Sequence, residues 1–332
     1  MPYLLNSRLI YVKIYTIIST KEIHATMNIL IAKFENKFKT NFNDISFQYM
    51  NTKITFSSTD DNYSLVLQGR KSEKTLKNLF FNFYSVMFLF LGFFPKLEAV
   101  TFNNTPSNLS NLSKRYETFG FFLHESNILC DFSSKTINNL TLTNFETIRK
   151  TPFHALECIT SVTYSKITLE HKILLLLQVI DGLIPLSKTQ IKTYKTKFDT
   201  MCNKGVQGNS QGDYAALVYY LCEKYFFYYN KKLSCNMLKT LKTSKKNFVL
   251  TISDTRNWYS HYLDDNKKRK RLQNDPILLF AYTDIILFSL RIMLASSLGV
   301  SVPEENIKKF YLQLKNWIIL RNAKKDTFLK PF

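Results

Sequence analysis

The sequence predicts an α+β fold: a mixed, β-rich N-terminal domain over residues 1–143, then an all-α helical bundle over residues 144–332. Three observations carry that expectation. In the first part, apolar and polar residues alternate over short runs, the period of a half-buried strand. After about Asn144 the apolar spacing changes to the three-and-four pattern of helices. The composition is that of a folded chain, with 45% hydrophobic residues, 28 Phe and 19 Tyr. A length of 332 residues accommodates two domains at ~100–200 residues each.

Taken in order, Met1–Thr20 is apolar but broken by Arg8 and Lys13, so it reads as a strand or leader without an export signal. Ile45–Phe56 and Tyr63–Gln68 alternate as strands, joined by the turn-like stretch Ser57–Asn62. Thr75–Leu91 reads as an apolar helix. The overlapping run Leu79–Phe94 contains Asn82, Tyr84, Ser85 and Gly92 and falls short of the ~20 apolar residues of a spanning helix. A buried core helix is expected there, and no membrane. Asn103–Ser113, rich in Asn, Ser and Thr, reads as a loop, and Phe119–Leu123 and Ile128–Phe132 as further strands.

The bundle begins with Lys166–Asp181, an apolar helix ended by Gly182 with Pro185 beyond it. Ser187 caps the next helix, in which Ile191, Tyr194, Phe198 and Met201 recur at helical spacing. Gly205–Gly212 is a loop whose glycines lack the Gly-Lys-Ser/Thr ending of a phosphate-binding loop. Asp213 is expected to cap Tyr214–Tyr229, and Ser234 a helix running through Lys246. Tyr219, Tyr220, Tyr225 and Phe226 read as bundle core or dimer interface and not as a ligand site. Asp275-Pro276 opens the long apolar helix Ile277–Leu298, closed by Gly299, and Pro303 opens a last helix toward Arg321.

The charge is strongly basic: 45 Lys and Arg against 25 Asp and Glu, a net of +20. Residues 1–150 hold 17 basic and 11 acidic residues; residues 151–332 hold 28 and 14. Such an excess fits an anionic partner such as nucleic acid. A lysine-rich compositional bias, with only nine Arg, gives the same total without a partner. Five Cys without a CxxC pair exclude the common zinc frameworks and a disulfide scaffold. Free, mostly buried thiols in a reducing cytoplasm are expected. No cofactor and no metal is expected.

His24, His124, His154 and His171 have no partner at a suggestive spacing. His261 differs. It closes the run Asp254-Thr255-Arg256-Asn257-Trp258-Tyr259-Ser260-His261. On a helix, Asn257 and His261 are one turn apart on one face, and the long Arg256 side chain can wrap to the same place. Ser253 or Asp254 can cap that helix. A guanidinium that forks onto phosphate oxygens, an imidazole that titrates near neutrality and an orienting amide suit a phosphodiester. The spacing Arg-Asn-x3-His arises by chance in roughly one sequence in a hundred of this composition. The competing reading is a surface Arg and a His satisfied inside the bundle.

The stretch Asp254–Tyr262 resembles the active-site segment of the HEPN superfamily, and among its branches the ApeA-like HEPN proteins of anti-phage abortive infection. The family pattern is an Arg, a polar residue that is often Asn, and a His after a gap of four to six residues, which Arg256, Asn257 and His261 match. The family places this segment on a helix of a small bundle near the C-terminus, before a long apolar helix, as Ile277–Leu298 is here. The resemblance implies a metal-independent endoribonuclease cleaving RNA, tRNA among the candidates, by attack of the RNA's own 2′-OH. In it His261 is general base or acid, Arg256 stabilises phosphoryl charge and Asn257 positions phosphate or His261. It further implies a homodimer with a composite cleft, and activation by a phage-derived trigger. Some HEPN toxins carry a modifiable Tyr two residues after the His. Leu263 stands there in this chain, so the resemblance does not extend to that modification.

Beside the motif, Lys267, Lys268, Arg269, Lys270 and Arg271 form a basic run that can track RNA phosphates. Trp258 and Tyr259 can stack on splayed bases, although in a chain with 28 Phe, 19 Tyr and 2 Trp core packing is the favoured reading of Trp258. Asp181 can serve as an acidic neighbour orienting the site, or be a solvated helix end. The alternative function is a non-catalytic RNA-binding or dimerisation module, with residues 1–143 sensing a phage component.

Overall fold

The computed structural model describes residues 27–35, 45–58, 62–93, 95–107, 129, 155–164, 167–184, 186–202, 212–227, 231–261 and 275–328. The fold is α+β, an antiparallel sheet followed by a mostly helical region. The strands are β1 (Asn28–Glu35), β2 (Ile45–Tyr49), β3 (Thr52–Ser58), β4 (Asn62–Gly69), β5 (Leu97–Phe102) and β6 (Thr105–Pro106), in the spatial order β2-β3-β4-β1-β5-β6. Leu30, Ala32 and Phe34 of β1 face one side and pair with Leu67, Leu65 and Tyr63 of β4. With Ile54 and Phe56 of β3 they form a wholly buried face, as a period of two dictates.

Helix α1 (Glu73–Leu91) covers that face. Phe34 stacks on Tyr84 with ring centroids 5.4 Å apart, and Phe83 meets Phe56 edge-on at 5.8 Å. Ser72 caps α1 by accepting from the Thr75 amide at 3.3 Å, and Gly92, at φ 81°, closes it with a hydrogen bond to the Phe88 carbonyl. The helix is buried through Val86–Leu91, so most of the apolar run Leu79–Phe93 packs inside the molecule, with Phe81 left exposed.

Two turns differ from the sequence expectation. Ile45–Phe56 is a hairpin, folded at Met50-Asn51, where both residues have positive φ (49° and 57°). Asn103-Asn104 (48° and 64°) makes a second two-residue hairpin inside the stretch read as a loop. Paired positive φ values match the twist of the flanking strands and favour Asn or Gly over Met. Met50→Asn is therefore expected to raise stability by about 0.5–1 kcal/mol in urea unfolding; an unchanged midpoint would contradict it.

The helical region comprises α2 (Ala155–Tyr164), α3 (Leu169–Leu183), α4 (Lys188–Met201), α5 (Gly212–Cys222) running into a π-helical turn (Glu223–Phe227), α6 (Lys231–Thr240), α7 (Lys245–His261), α8 (Pro276–Ser297) and α9 (Glu304–Phe328). Three starts were legible as caps: Ser187, in a reciprocal capping box with Gln190; Asp275, accepting from the Ile277 amide at 2.8 Å; and Pro303 just ahead of α9. Other expectations need correction. Gly182 lies inside α3, whose cap is Thr168. Asp213 is in the first turn of α5 and pairs with Lys195 at 3.2 Å. Ser234 sits within α6 and donates to the Phe226 carbonyl at 2.9 Å. The helix read through Lys246 is two helices, parted at Leu241–Ser244 where Lys242 has φ 52°.

Among the described residues α8 alone is long and apolar enough to cross a membrane, but 72% of its most apolar window is buried in the bundle. It lies against α3, α5, α9 and α1. Its Arg291, 3% exposed, joins the two regions: Nε and Nη2 donate to the Leu89 carbonyl at 3.0 and 2.9 Å, and Nη2 to that of Phe90 at 3.3 Å. Leu129 adds a second link, donating to Phe90 O and accepting from Asn306 Nδ2. One contiguous core runs from the sheet to α9. Cys202 and Cys222 are buried, Cys158 is half-buried and Cys235 exposed, all as free thiols. Burial pushes the Cys222 thiol well up, which makes it unreactive. The expected domain boundary near residue 144, the leader-like Met1–Thr20, Cys130, and the strands at Phe119–Leu123 and, apart from Leu129, Ile128–Phe132 lie outside the described residues.

Candidate active site

Helix α7 carries the Arg256-Asn257-x3-His261 segment, so the helical reading holds. The helix starts earlier than its motif. Ser244 Oγ accepts from the Asn247 amide at 3.2 Å, and Phe248, Val249 and Ile252 already form a buried apolar stripe. Ser253 and Asp254, expected as caps, therefore lie mid-helix and are each 2% exposed. The apolar repeat before them overrides their local capping preference.

Arg256 is held from three directions. Its Nη2 contacts Asp181 Oδ2 at 2.7 Å and its Nη1 donates to Asn257 Oδ1 at 3.1 Å. Its guanidinium carbon lies 4.8 Å from the ring centroid of Tyr214. Asp181 comes from the last turn of α3, and Tyr214 from the first turn of α5. Three helices thus fix one planar cation, and stacking on the ring adds to the ion pair. The Arg256 side chain is 25% exposed and that of Asp181 32%, so the pair lies at the bundle surface and water weakens it.

Tyr214 is anchored in turn. Its hydroxyl donates to the Leu177 carbonyl at 3.1 Å. Burial, then the Asp181 carboxylate, raise its pKa well above the ordinary phenol value, with Arg256 opposing. It is a neutral platform at any physiological pH. Nothing local in the sequence marks Tyr214 as part of this cluster; it is brought in by the packing of α5 against both α3 and α7. Asp181, named from sequence as an acidic neighbour, does reach Arg256.

Asn257 is half-buried, and the helix places the His261 backbone one turn after it, at the end of α7. The His261 side chain lies outside the described residues. Trp258 and Tyr259 are half-buried on the same helix. Burial, then Glu170 of α3, raises the Tyr259 pKa. Lys267, Lys268, Arg269, Lys270 and Arg271 lie outside the described residues, as do His24, His124 and His154. His171 is exposed at the start of α3, its Nδ1 2.8 Å from Thr168 Oγ1.

Chemically the cluster presents a guanidinium of fixed orientation beside a carboxamide. Each Nη atom carries two hydrogens, and the contacts to Asp181 and Asn257 use one on each. A guanidinium so held keeps further N–H donors of the kind that suit phosphodiester oxygens. No family model matches the chain, and neither does any curated protein or solved structure.

Proposed function

We propose that the chain is an endoribonuclease of the HEPN kind, working without a metal on RNA such as tRNA. The observation that carries this reading is the guanidinium of Arg256, fixed by Asp181 and Tyr214 and touching Asn257, on the helix that ends in His261. In the proposed reaction a ribose 2′-oxygen forms a bond to the adjacent phosphorus and the bond from phosphorus to the 5′-oxygen breaks. The 2′-hydroxyl proton leaves to a base and the departing 5′-oxygen gains one from an acid. His261 supplies one of these transfers. Arg256 offsets charge on the non-bridging oxygens, and Asn257 fixes their position. The products carry a 2′,3′-cyclic phosphate and a 5′-hydroxyl. Two chains pairing their α7 helices would concentrate positive charge at one cleft, within a cytoplasmic protein that a phage-derived signal releases.

The non-catalytic alternative draws on the same ion pair, since a purely structural bundle also has a use for an Arg held by a carboxylate. Cleavage of total RNA in excess EDTA separates the two. Wild type is expected to give cyclic-phosphate ends, with cleavage by Arg256→Ala and His261→Ala lowered about 100- to 1,000-fold. Circular dichroism checks that both variants are folded. Cleavage that survives both substitutions overturns the site; a wild type that binds RNA without cutting, with or without phage lysate, favours the binding module.

A further inference from the structure

The strongest surface feature outside the Arg256 cluster is an aromatic and lysine-lined face built by α4 and the π-helical turn that follows α5. Tyr194 of α4 meets Tyr220 of α5 edge-on, with centroids 4.9 Å apart, and Tyr220 meets Tyr225 of the π turn at 6.2 Å. Tyr194 and Tyr220 are half-buried, so each leaves part of its ring at the surface. Lysines lie over these rings. Lys197 Nζ is 5.0 Å from the Tyr194 centroid, and Lys224 Nζ is 5.5 and 5.4 Å from those of Tyr220 and Tyr225. Lys224 also donates to the Tyr220 hydroxyl at 3.3 Å.

The π turn explains why Lys224 is there. One extra residue in the turn lets the consecutive Tyr225, Phe226 and Phe227 all bury, while Lys224 stays exposed beside them. Such turns commonly mark functional surfaces. Helix α4 also carries Lys188, Lys192 and Lys195, which helical spacing turns away from Lys197, with Asp199 its single acidic residue. Lys195 is engaged by Asp213. Among the described residues no carboxylate pairs with Lys188, Lys192, Lys197 or Lys224. The hydroxyls of Thr193, Thr196 and Thr200 all turn back onto helix carbonyls. The lysine ammonium groups are thus the main outward donors of this face.

We propose that this face is a track for single-stranded RNA, in which Lys197 and Lys224 follow the phosphates and Tyr194 and Tyr220 offer ring surface to unpaired bases. The combination favours a single strand, because a duplex hides its base faces. An acidic peptide would use the lysines and leave the rings unexplained. Tyr220 stands six residues along α5 from Tyr214, about 9 Å of helix rise and roughly 120° around the helix, so the track lies on a different face of α5 from the Arg256 site. The proposal rests on RNA being the ligand, and is independent of whether the chain cuts it.

The test is fluorescence anisotropy of a labelled oligouridylate about 12 nucleotides long, titrated with the full chain from about 50 to 200 mM salt. Replacing Lys197 and Lys224 together with Ala is expected to lower the slope of log K against log salt by about 1.4, at ~0.7 per phosphate contact. Tyr220→Leu is expected to weaken binding about 5- to 100-fold with little change of slope. Removing two exposed lysines, Lys33 from the sheet and Lys74 from α1, to Ala serves as the charge control. An equal loss in that control, or unchanged binding in the track variants, overturns the proposal, as does stronger retention on phosphatidylserine vesicles than on RNA. A wild type that cuts RNA while the track variants bind normally refutes the track alone. A wild type that never cuts, but loses binding with the track, refutes the nuclease alone.

Discussion

Replacing Arg291 with Ala is expected to destabilise the protein by about 3–5 kcal/mol, more than any other single surface or core polar change considered above. The guanidinium is buried on α8 and donates three times to the carbonyls that end α1. Those carbonyls carry the negative end of the helix dipole, so a cation there is favourable as well as hydrogen-bonded. Truncation removes the charge, leaves the Leu89 carbonyl without the donors Arg291 supplies, and opens a cavity between α1 and α8. Arg291→Met fills most of the volume without donating, and is expected to recover about half the loss. Urea unfolding checks both; an Ala variant within about 0.5 kcal/mol of wild type would contradict the role given to this residue.

The Asp284→Asn variant is expected to be more stable than wild type above neutral pH, by up to about 4 kcal/mol. Asp284 lies on α8, half-buried, and desolvation raises its pKa from 3.8 to about 7, with Lys172 of α3 opposing. Burial likewise lowers Lys172 from its ordinary value, with Asp284 opposing. The sign follows from proton counting. Between 3.8 and about 7 the folded protein retains a proton that the unfolded chain has released. Stability therefore falls across that interval as pH rises, by about 1.4 kcal/mol per unit at most. The Asn variant has no such proton, so its thermal melting point should vary little between about pH 5 and pH 8 while that of wild type drops. Parallel profiles for the two proteins would show that Asp284 titrates normally.

Strands β3 and β4 and the helices with a strong repeat were legible in the sequence, whereas β1 and β5 emerge only in the structure. Thr75–Leu91 has a dense apolar repeat, and Ser187 and Asp275 are followed by residues whose amides they can receive. The misreadings share a cause: a local signal was outweighed by a longer pattern. Ser253, Asp254 and Ser234 are good capping residues, but each sits inside an apolar repeat whose burial favours continuing the helix. Met50 conceals a turn because nothing in its side chain announces positive φ. At the site, Arg256, Asn257 and Asp181 were readable because their chemistry is particular to them. Tyr214 was not, since its role arises from α5 packing against α3 and α7 together.

The bond between Arg291 and Leu89 spans 202 residues of chain, and this has a consequence in time. At about 5–20 residues per second, roughly 10–40 s of synthesis separate the two partners. During that interval the sheet and α1 are already made, while the apolar end of α1, from Val86 to Leu91, has no α8 to cover it. The nascent chain therefore has a long window in which that surface is sticky, and a chaperone that holds it should raise the soluble yield. Expression at a slower elongation rate lengthens the window, and the fraction recovered in inclusion bodies reads it out.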